Sequence, residues 1–324
     1  MGAKPSIDVA QRRARLARRH HLSPAARAAT ALDVARGMVA LHATDPATVY
    51  LSIFARASVT PADVERALYD EKILMRMLGM RRTMFVVPIE LAPVVQAGCT
   101  RAIAAQERRR TIQLFGQAGI ADDIATWLGS IEEQTFEALR KRGNATAQQL
   151  SEDLPELKRQ VRIASEKSYA GAMGVSSRTL FQLSADGRIV RGRPRGSWIS
   201  GQYHWSPMDA WIPGGLAEMV VPAAQTVLIQ GWLRSFGPGT LADLKWWTGL
   251  TLGEVMEIEP TYIEWIVRTI DRDPEISIAA RVIMRHLTGG RVKRPRMDSV
   301  VPRGRNGTAR PESPDELFDP STGN

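Results

Sequence analysis

The chain has 324 residues, a formal net charge of +9 and a sequence pI of about 10.1. This length supports two or three small domains with a real core, and the basic balance favours polyanionic partners such as nucleic acids. The single Cys99 excludes an internal disulfide and a cysteine-based zinc site. No apolar run is long enough to span a bilayer, and the N-terminus lacks the apolar segment of a secretory signal. We therefore expect a cytoplasmic protein with no membrane partner.

The first predicted element is an arginine-rich helix over residues 6–20. Ser6 can cap it, and Arg12 and Arg13 lie on its polar side. The arginines fit either phosphate contact or a solvated amphipathic surface. A second helix is predicted over residues 30–42, capped by Thr30. Pro46 ends this pattern, because the residue before a proline avoids the helical conformation.

A β-hairpin follows two further helices, which are predicted over residues 47–57 and 60–70. The spacing of apolar residues then changes to that of β-strands over 72–77 and 83–87. A turn that carries Arg81 and Arg82 separates the two strands. Helices followed by a hairpin with a basic turn are the order of a winged helix, in which the hairpin lies on the DNA backbone. The alternative is a hairpin that only covers a core.

The same order recurs further along the chain. Helices are predicted over residues 121–142, from Thr146, and over 176–183. The hairpin that follows is predicted to carry Arg191, Arg193 and Arg195 at its tip, flanked by glycines and aromatic residues. Arginines so placed can contact phosphate or enter a minor groove, although a solvated loop has the same composition. A third unit begins at residue 222 and continues through a helix capped by Thr240.

One short segment concentrates groups that are capable of chemistry. His42, Thr44 and Asp45 place an imidazole, a hydroxyl and a carboxylate within four residues. A neutral imidazole can accept a proton from water, a hydroxyl can orient that water, and a carboxylate can stabilise positive charge. The alternative is structural: Thr44 and Asp45 form a turn at the end of a helix, and His42 is an ordinary polar residue.

Several motifs occur together in a recognisable order. They are the arginine-rich first helix, the stretches 41–46, 77–88 and 187–192, and the run from Phe236 through Trp247. Together they resemble the bacterial winged-helix DNA-binding family that contains the AlkZ/YcaQ-type DNA glycosylases, over roughly residues 8–250. The resemblance implies tandem winged helices followed by a C-terminal β-barrel. It also implies duplex DNA as the partner, and removal of bulky N-alkylated purines, including cross-linked ones, by monofunctional hydrolysis.

The candidate catalytic motif departs from that family. Its characterised glycosylases carry Gln, an apolar residue, and then Gln or Asp, where this chain has His42-Ala43-Thr44. We predict His42, Thr44 and Asp45 as the catalytic residues, with water as the nucleophile and no metal or organic cofactor. Arg12, Arg13, Arg81, Arg82, Arg191, Arg193 and Arg195 are the predicted DNA contacts. The alternative function is a non-enzymatic winged-helix DNA binder, a regulator or a lesion sensor.

The predicted fold is mainly α with small β-hairpins, in an α+β arrangement of tandem winged helices. We expect a first unit with a linking helix over 1–118, a second over 119–208, and the start of a third over 209–250. Helical patterns over 251–288 replace the expected third wing and barrel, which a gene fusion or a frame disruption within 248–254 would explain. Residues 289–324 have few large apolar groups and are expected to be a disordered basic tail.

Overall fold

The computed structural model describes residues 8–162 and 172–258. Helix α1 (Val9–Arg19) begins with Asp8, whose carboxylate accepts the backbone N–H of Gln11 at 2.8 Å. Ser6, the predicted cap, lies outside the described residues. Helix α1 has no buried residue, so its own apolar stripe is not what holds it in place. Its attachment comes from Arg12, Arg19 and His20, whose side chains contact backbone carbonyls at the end of a later helix.

The first unit, over residues 31–88, combines three helices with one small antiparallel sheet. Its apolar faces meet in one core, in which Val34, Ile53 and Val64 are fully buried. The three strands form an antiparallel sheet in the order β1-β3-β2. The elements are α2 (Ala31–Met38), β1 (Leu41–His42), α3 (Pro46–Phe54), α4 (Pro61–Glu65, continued by a π-helical turn to Asp70), β2 (Leu74–Gly79) and β3 (Thr83–Pro88).

The helix predicted over 30–42 is four residues too long. The Thr30 cap is confirmed, but α2 ends at Met38, and Val39 takes a left-handed conformation with φ +64°. Leu41 and His42 then form β1, paired with Val86 and Phe85 of β3. This pairing partner lies more than forty residues away in sequence, so the local helical pattern did not reveal it.

The second unit repeats the arrangement around its own core, which includes Leu128, Leu150 and Leu183. Its main sheet has the order β4-β8-β7. A linking segment precedes it: α5 (Ala92–Val95) passes through a π-helical turn into α6 (Arg101–Gln117). The elements of the unit are α7 (Ile124–Arg142), β4 (Ala145–Thr146), α8 (Ala147–Asp153), β5 (Gln160–Arg162), β6 (Ala172–Gly174), α9 (Val175–Ala185), β7 (Ile189–Pro194) and β8 (Tyr203–Pro207).

The arginines of the second hairpin do not all lie at its tip, as the sequence predicted. Arg191 and Arg193 belong to β7, and of the three only Arg195 lies in the connecting loop. The register shifts between Arg191 and Pro194, which indicates a β-bulge. A bulge re-aims neighbouring side chains, so these arginines need not face one common surface.

The remaining described residues form a third helical group. It consists of α10 (Met208–Trp211), α11 (Val221–Phe236), α12 (Leu241–Thr248) and α13 (Leu252–Ile258). Leu228 of α11 packs into the core beside the first hairpin, and Val255 is fully buried. The predicted helix after residue 251 is therefore confirmed as far as residue 258. The rest of the 251–288 segment and the predicted disordered tail lie outside the described residues. Among the described helices, none is both long and apolar enough to cross a membrane.

Candidate functional site

The predicted catalytic residues lie on an exposed sheet edge. Strand β1 is the edge strand, and Ala43 continues its pairing by donating its N–H to the carbonyl of Met84 at 2.8 Å. Ala43 is fully buried, whereas His42, Thr44 and Asp45 are exposed. The alternation of a strand therefore presents His42 and Thr44 to solvent on either side of an anchored residue.

The side chains of the motif lie close to one another. The Thr44 hydroxyl is 3.5 Å from Nε2 of His42, and the imidazole meets the Phe85 ring edge-on at 6.0 Å between centroids. One oxygen of Asp45 accepts the N–H of Ala47 at 2.9 Å and so caps α3. The structure thus brings the His42 and Thr44 side chains together, and it gives Asp45 the capping role that the structural alternative assigned to it.

Arg76 supports this motif from the inside of the sheet. Arg76 is only 7% exposed. Its guanidinium donates hydrogen bonds to the carbonyl of Ala43, to the carbonyl of Thr44 at 3.3 Å, and to the hydroxyl of Tyr203. Arg76 therefore connects the first unit's motif to the second unit's hairpin. Sequence reasoning missed it, because an arginine within an apolar strand gives no signal for the carbonyls that it binds.

A second arginine occupies the neighbouring position on the hairpin. The guanidinium of Arg191 lies over the rings of Tyr203 and Trp205, at 5.5 and 5.1 Å from their centroids. Burial, and then the nearby charge of Arg76, lowers the pKa of Arg191 to about 10. Its Nε has no hydrogen-bond partner among the described residues. The Nε itself is buried, so a ligand would be met by the part of this half-buried guanidinium that lines a cleft, where charge-assisted hydrogen bonds to an anion can form.

Arg191 and Arg195 line the same cleft of about 580 Å³, together with Gln148, Tyr203 and Trp205. Arg195 is exposed there. The wall of this cleft is polar, basic and aromatic, and such a composition suits a nucleic-acid backbone and base faces. Sequence reasoning predicted the arginines, but it did not predict the cleft.

Arg193 points elsewhere. It binds Glu65 at 2.5 Å and Asp70 at 2.8 Å, both from the first unit, and its guanidinium lies over the Tyr69 ring. Trp198, in the loop of the same hairpin, packs on Tyr50 at 4.6 Å between ring centroids. These contacts dock the second hairpin on the first unit. Arg193 therefore has an intramolecular partner for each arm of its guanidinium.

The two arginines of the first hairpin turn also have intramolecular contacts. Arg82 binds Glu107 at 2.8 Å, and Arg81 lies over the Trp246 ring at 4.2 Å from its centroid. Both arginines remain exposed. The turn therefore packs between α6 and α12, and any DNA contact by these residues would be made from this fixed position.

The arginines of α1 divide between anchoring and exposure. Arg12 and Arg19 donate to carbonyls at the end of α11, with Arg19 reaching Gly237 at 3.0 Å. Buried His20 adds a 3.1 Å contact between Nε2 and the carbonyl of Ser235. Arg13 is exposed. Over the described ranges, no cluster of three or more His, Cys, Asp or Glu side chains suited to a metal ion is present.

Comparison with known proteins identifies related sequences and folds. Residues 35–260 match the family model described as DNA glycosylase AlkZ-like. Among solved structures, the Streptomyces sahachiroi DNA glycosylase AlkZ matches with a TM-score of 0.52 at 16% identity, covering 78% of this chain and 64% of that one. The present chain thus spans less than two thirds of that protein, and at this identity the likeness shows the fold. No curated protein matches the chain.

The family match also bears on the predicted junction. It runs through residues 248–254 and on to residue 260. Thr248, Leu250 and Val255 are buried, and Glu254 accepts the N–H of Thr251 at 2.7 Å to begin α13. A fusion or frame disruption within 248–254 is therefore not needed to explain the helical pattern of those residues.

Proposed function

Because this chain belongs to the AlkZ-like DNA glycosylase family, we propose that it binds duplex DNA and hydrolyses the N-glycosidic bond of N-alkylated purines. The observation that carries the proposal is the exposed edge of β1. There His42 and Thr44 face solvent around a buried Ala43, and Arg76 binds the carbonyls of Ala43 and Thr44. Functional side chains carried by a rigid strand are positioned more precisely than those on a loop.

The proposed reaction needs the protein to activate a water molecule and to stabilise positive charge on the sugar. An N7-alkylated purine carries a positive charge, so it leaves as a neutral base and takes the electrons of its bond to the sugar. His42 accepts a proton from the attacking water, whose oxygen forms the new bond to the sugar carbon. Thr44 orients that water, because its hydroxyl lies 3.5 Å from the imidazole. The Asp45 oxygen not used in capping α3 supplies negative charge near the developing oxocarbenium ion.

DNA binding is proposed to rest on the arginines that have room for a phosphate. Arg191 and Arg195 share the basic cleft of the second unit, and Arg13 is exposed on α1. Arg193 contributes indirectly by docking the hairpin through Glu65 and Asp70. We retain the proposed units over 1–118 and 119–208, extend the third from 209 to 258, and expect the protein to associate with the nucleoid.

The test is excision from a defined duplex. The full chain is incubated with DNA that carries one N7-methylguanine, and abasic sites are revealed by alkaline strand cleavage on a gel. We expect strand breaks at the modified position and none in the unmodified duplex. Absence of cleavage with N7- and N3-alkylated purines, in the presence of salt-dependent duplex binding, would refute the enzyme and leave the binder.

The non-enzymatic alternative has one specific observation in its favour. One carboxylate oxygen of Asp45 accepts the Ala47 N–H, and this cap would stabilise α3 whether or not catalysis occurs. A winged-helix regulator or lesion sensor would need the same fold and the same basic cleft. It would bind alkylated duplex without releasing the base, so the excision assay separates the two functions.

A further inference from the structure

Trp246 is a largely exposed aromatic residue that lies under a guanidinium. Its neighbour Trp247 is half-buried and packs toward Phe236, whereas Trp246 is 65% exposed on the surface of α12. The Arg81 guanidinium lies 4.2 Å from the Trp246 ring centroid. A guanidinium over one face of an exposed indole leaves the other face free to stack on a flat ligand.

The turn that supplies Arg81 is held in a demanding conformation. Arg81 and Arg82 both have positive φ, +56° and +59°. Tight hairpins place Asn-Gly at such positions, because side chains with a Cβ resist the left-handed region. Arg82 is fixed by Glu107, which is 4% exposed and also binds Arg178 at 3.1 Å. Strain that neighbouring contacts maintain is characteristic of functional positions, and here it presents Arg81 to Trp246.

The strand register places this turn beside the candidate catalytic motif. Strand β1 runs antiparallel to β3, with His42 opposite Phe85 and the Ala43 N–H on the Met84 carbonyl. The motif therefore runs toward the end of β3 that begins at Thr83, the residue that follows Arg82. His42 also contacts Phe85, which packs on the same core cluster as Trp247. The Arg81–Trp246 pair therefore lies at the end of the sheet toward which the motif runs, on the side where α11 and α12 pack.

We propose that Trp246, backed by Arg81, is a stacking platform for a nucleobase released from its pair when DNA is bound at the motif. This inference rests on the proposed function. Base faces stack on aromatic rings without regard to sequence, and an enzyme that acts on a glycosidic bond gains access when the duplex opens locally. A cleft of about 710 Å³ beside Arg81 is lined by Arg81, Arg82, Arg101 and Arg110 together with the carboxylates of Glu107 and Glu254. Arg82, Arg101 and Arg110 pair with Glu107 or Glu218, so Arg81 is the arginine that we expect to contact a phosphate flanking such a base.

The test compares two duplexes that differ only in one base. The first carries 2-aminopurine as a single-nucleotide bulge, and the second carries it paired with thymine. The wild-type protein should bind the bulged duplex more tightly and quench its fluorescence. Trp246→Ala should lose that preference by about 5- to 150-fold, the effect of losing one stacked base. Its affinity for the paired duplex should stay within about twofold of wild type, because a paired base is not available to stack. Because Trp246 is mostly exposed, we expect an unchanged melting temperature.

Two further variants separate stacking from other causes. Trp246→Phe keeps an aromatic face and should restore part of the bulge preference. Trp127→Phe is the matched control, since Trp127 is another tryptophan beside a guanidinium, that of Arg159 at 5.4 Å, but lies on α7; its preference should equal that of wild type. Equal preference for the bulge in wild type and Trp246→Ala would overturn the platform. Failure of the wild type to bind either duplex would instead refute the proposed function.

Discussion

Arg76 offers the most stringent test of how the candidate motif is held. Replacing it with methionine keeps an unbranched buried side chain but removes the donors to Ala43, Thr44 and Tyr203. Each buried polar group left without a partner costs about 1–3 kcal/mol, and loss of the positive charge itself relieves some desolvation. We therefore expect Arg76→Met to lower the free energy of unfolding by about 2–5 kcal/mol, from the same per-group cost.

The assay is urea denaturation followed by tryptophan fluorescence. Arg109→Met is the matched control, because Arg109 is exposed on α6, and it should change stability by no more than about 0.5 kcal/mol. In a double-mutant cycle, Arg76→Met and Tyr203→Phe should be less than additive by about 1 kcal/mol, since they remove one shared hydrogen bond. Additive effects, or an Arg76→Met protein as stable as the control, would refute the role assigned to the guanidinium.

Two further predictions concern charge. Arg195→Ala should weaken binding to every duplex and reduce the slope of log affinity against log salt concentration by about 0.9, the effect of one lost phosphate contact. Arg193→Ala should leave that slope unchanged and lower the melting temperature. The opposite pattern would make Arg193 the phosphate contact and Arg195 the structural residue. Burial lowers the pKa of His20 below its ordinary value of 6.5, so the unfolded chain takes up a proton at higher pH than the folded protein. The stability associated with neutral His20 is therefore complete above about pH 6.5 and is lost as the pH falls. Melting temperatures at pH 5 and 7.5 should differ more in wild type than in His20→Gln. An equal difference in the two proteins would exclude His20 as the source of the pH dependence of stability.

Much of the fold could be predicted because its signals are local. Thr30, Thr146 and Thr240 each mark a predicted helix start that the structure confirms. Strand β1 was missed because two residues are too few to show a period, and their pairing depends on a partner far along the chain.

The site was only partly predictable for a similar reason. The order of His42, Thr44 and Asp45 suggested chemistry, but nothing near Arg76 in sequence indicates that its donors reach the backbone of the motif. In the same way, the arginine pattern around Arg193 could not reveal its pairing with Glu65, which is 128 residues away. Local composition predicts where charge lies, whereas tertiary contacts decide which charges remain available to a ligand.

The central claim, that this sheet edge hydrolyses a glycosidic bond, is tested most directly by single-turnover excision. Wild type, His42→Ala and the control His204→Ala are each placed in excess over a duplex with one N7-methylguanine, and duplex affinity is measured in parallel. We predict that His42→Ala lowers the rate by about 10²-fold or more, the usual effect of losing a general base, with affinity near that of wild type and His204→Ala unaffected. Equal excision rates for His42→Ala and wild type would contradict the assignment.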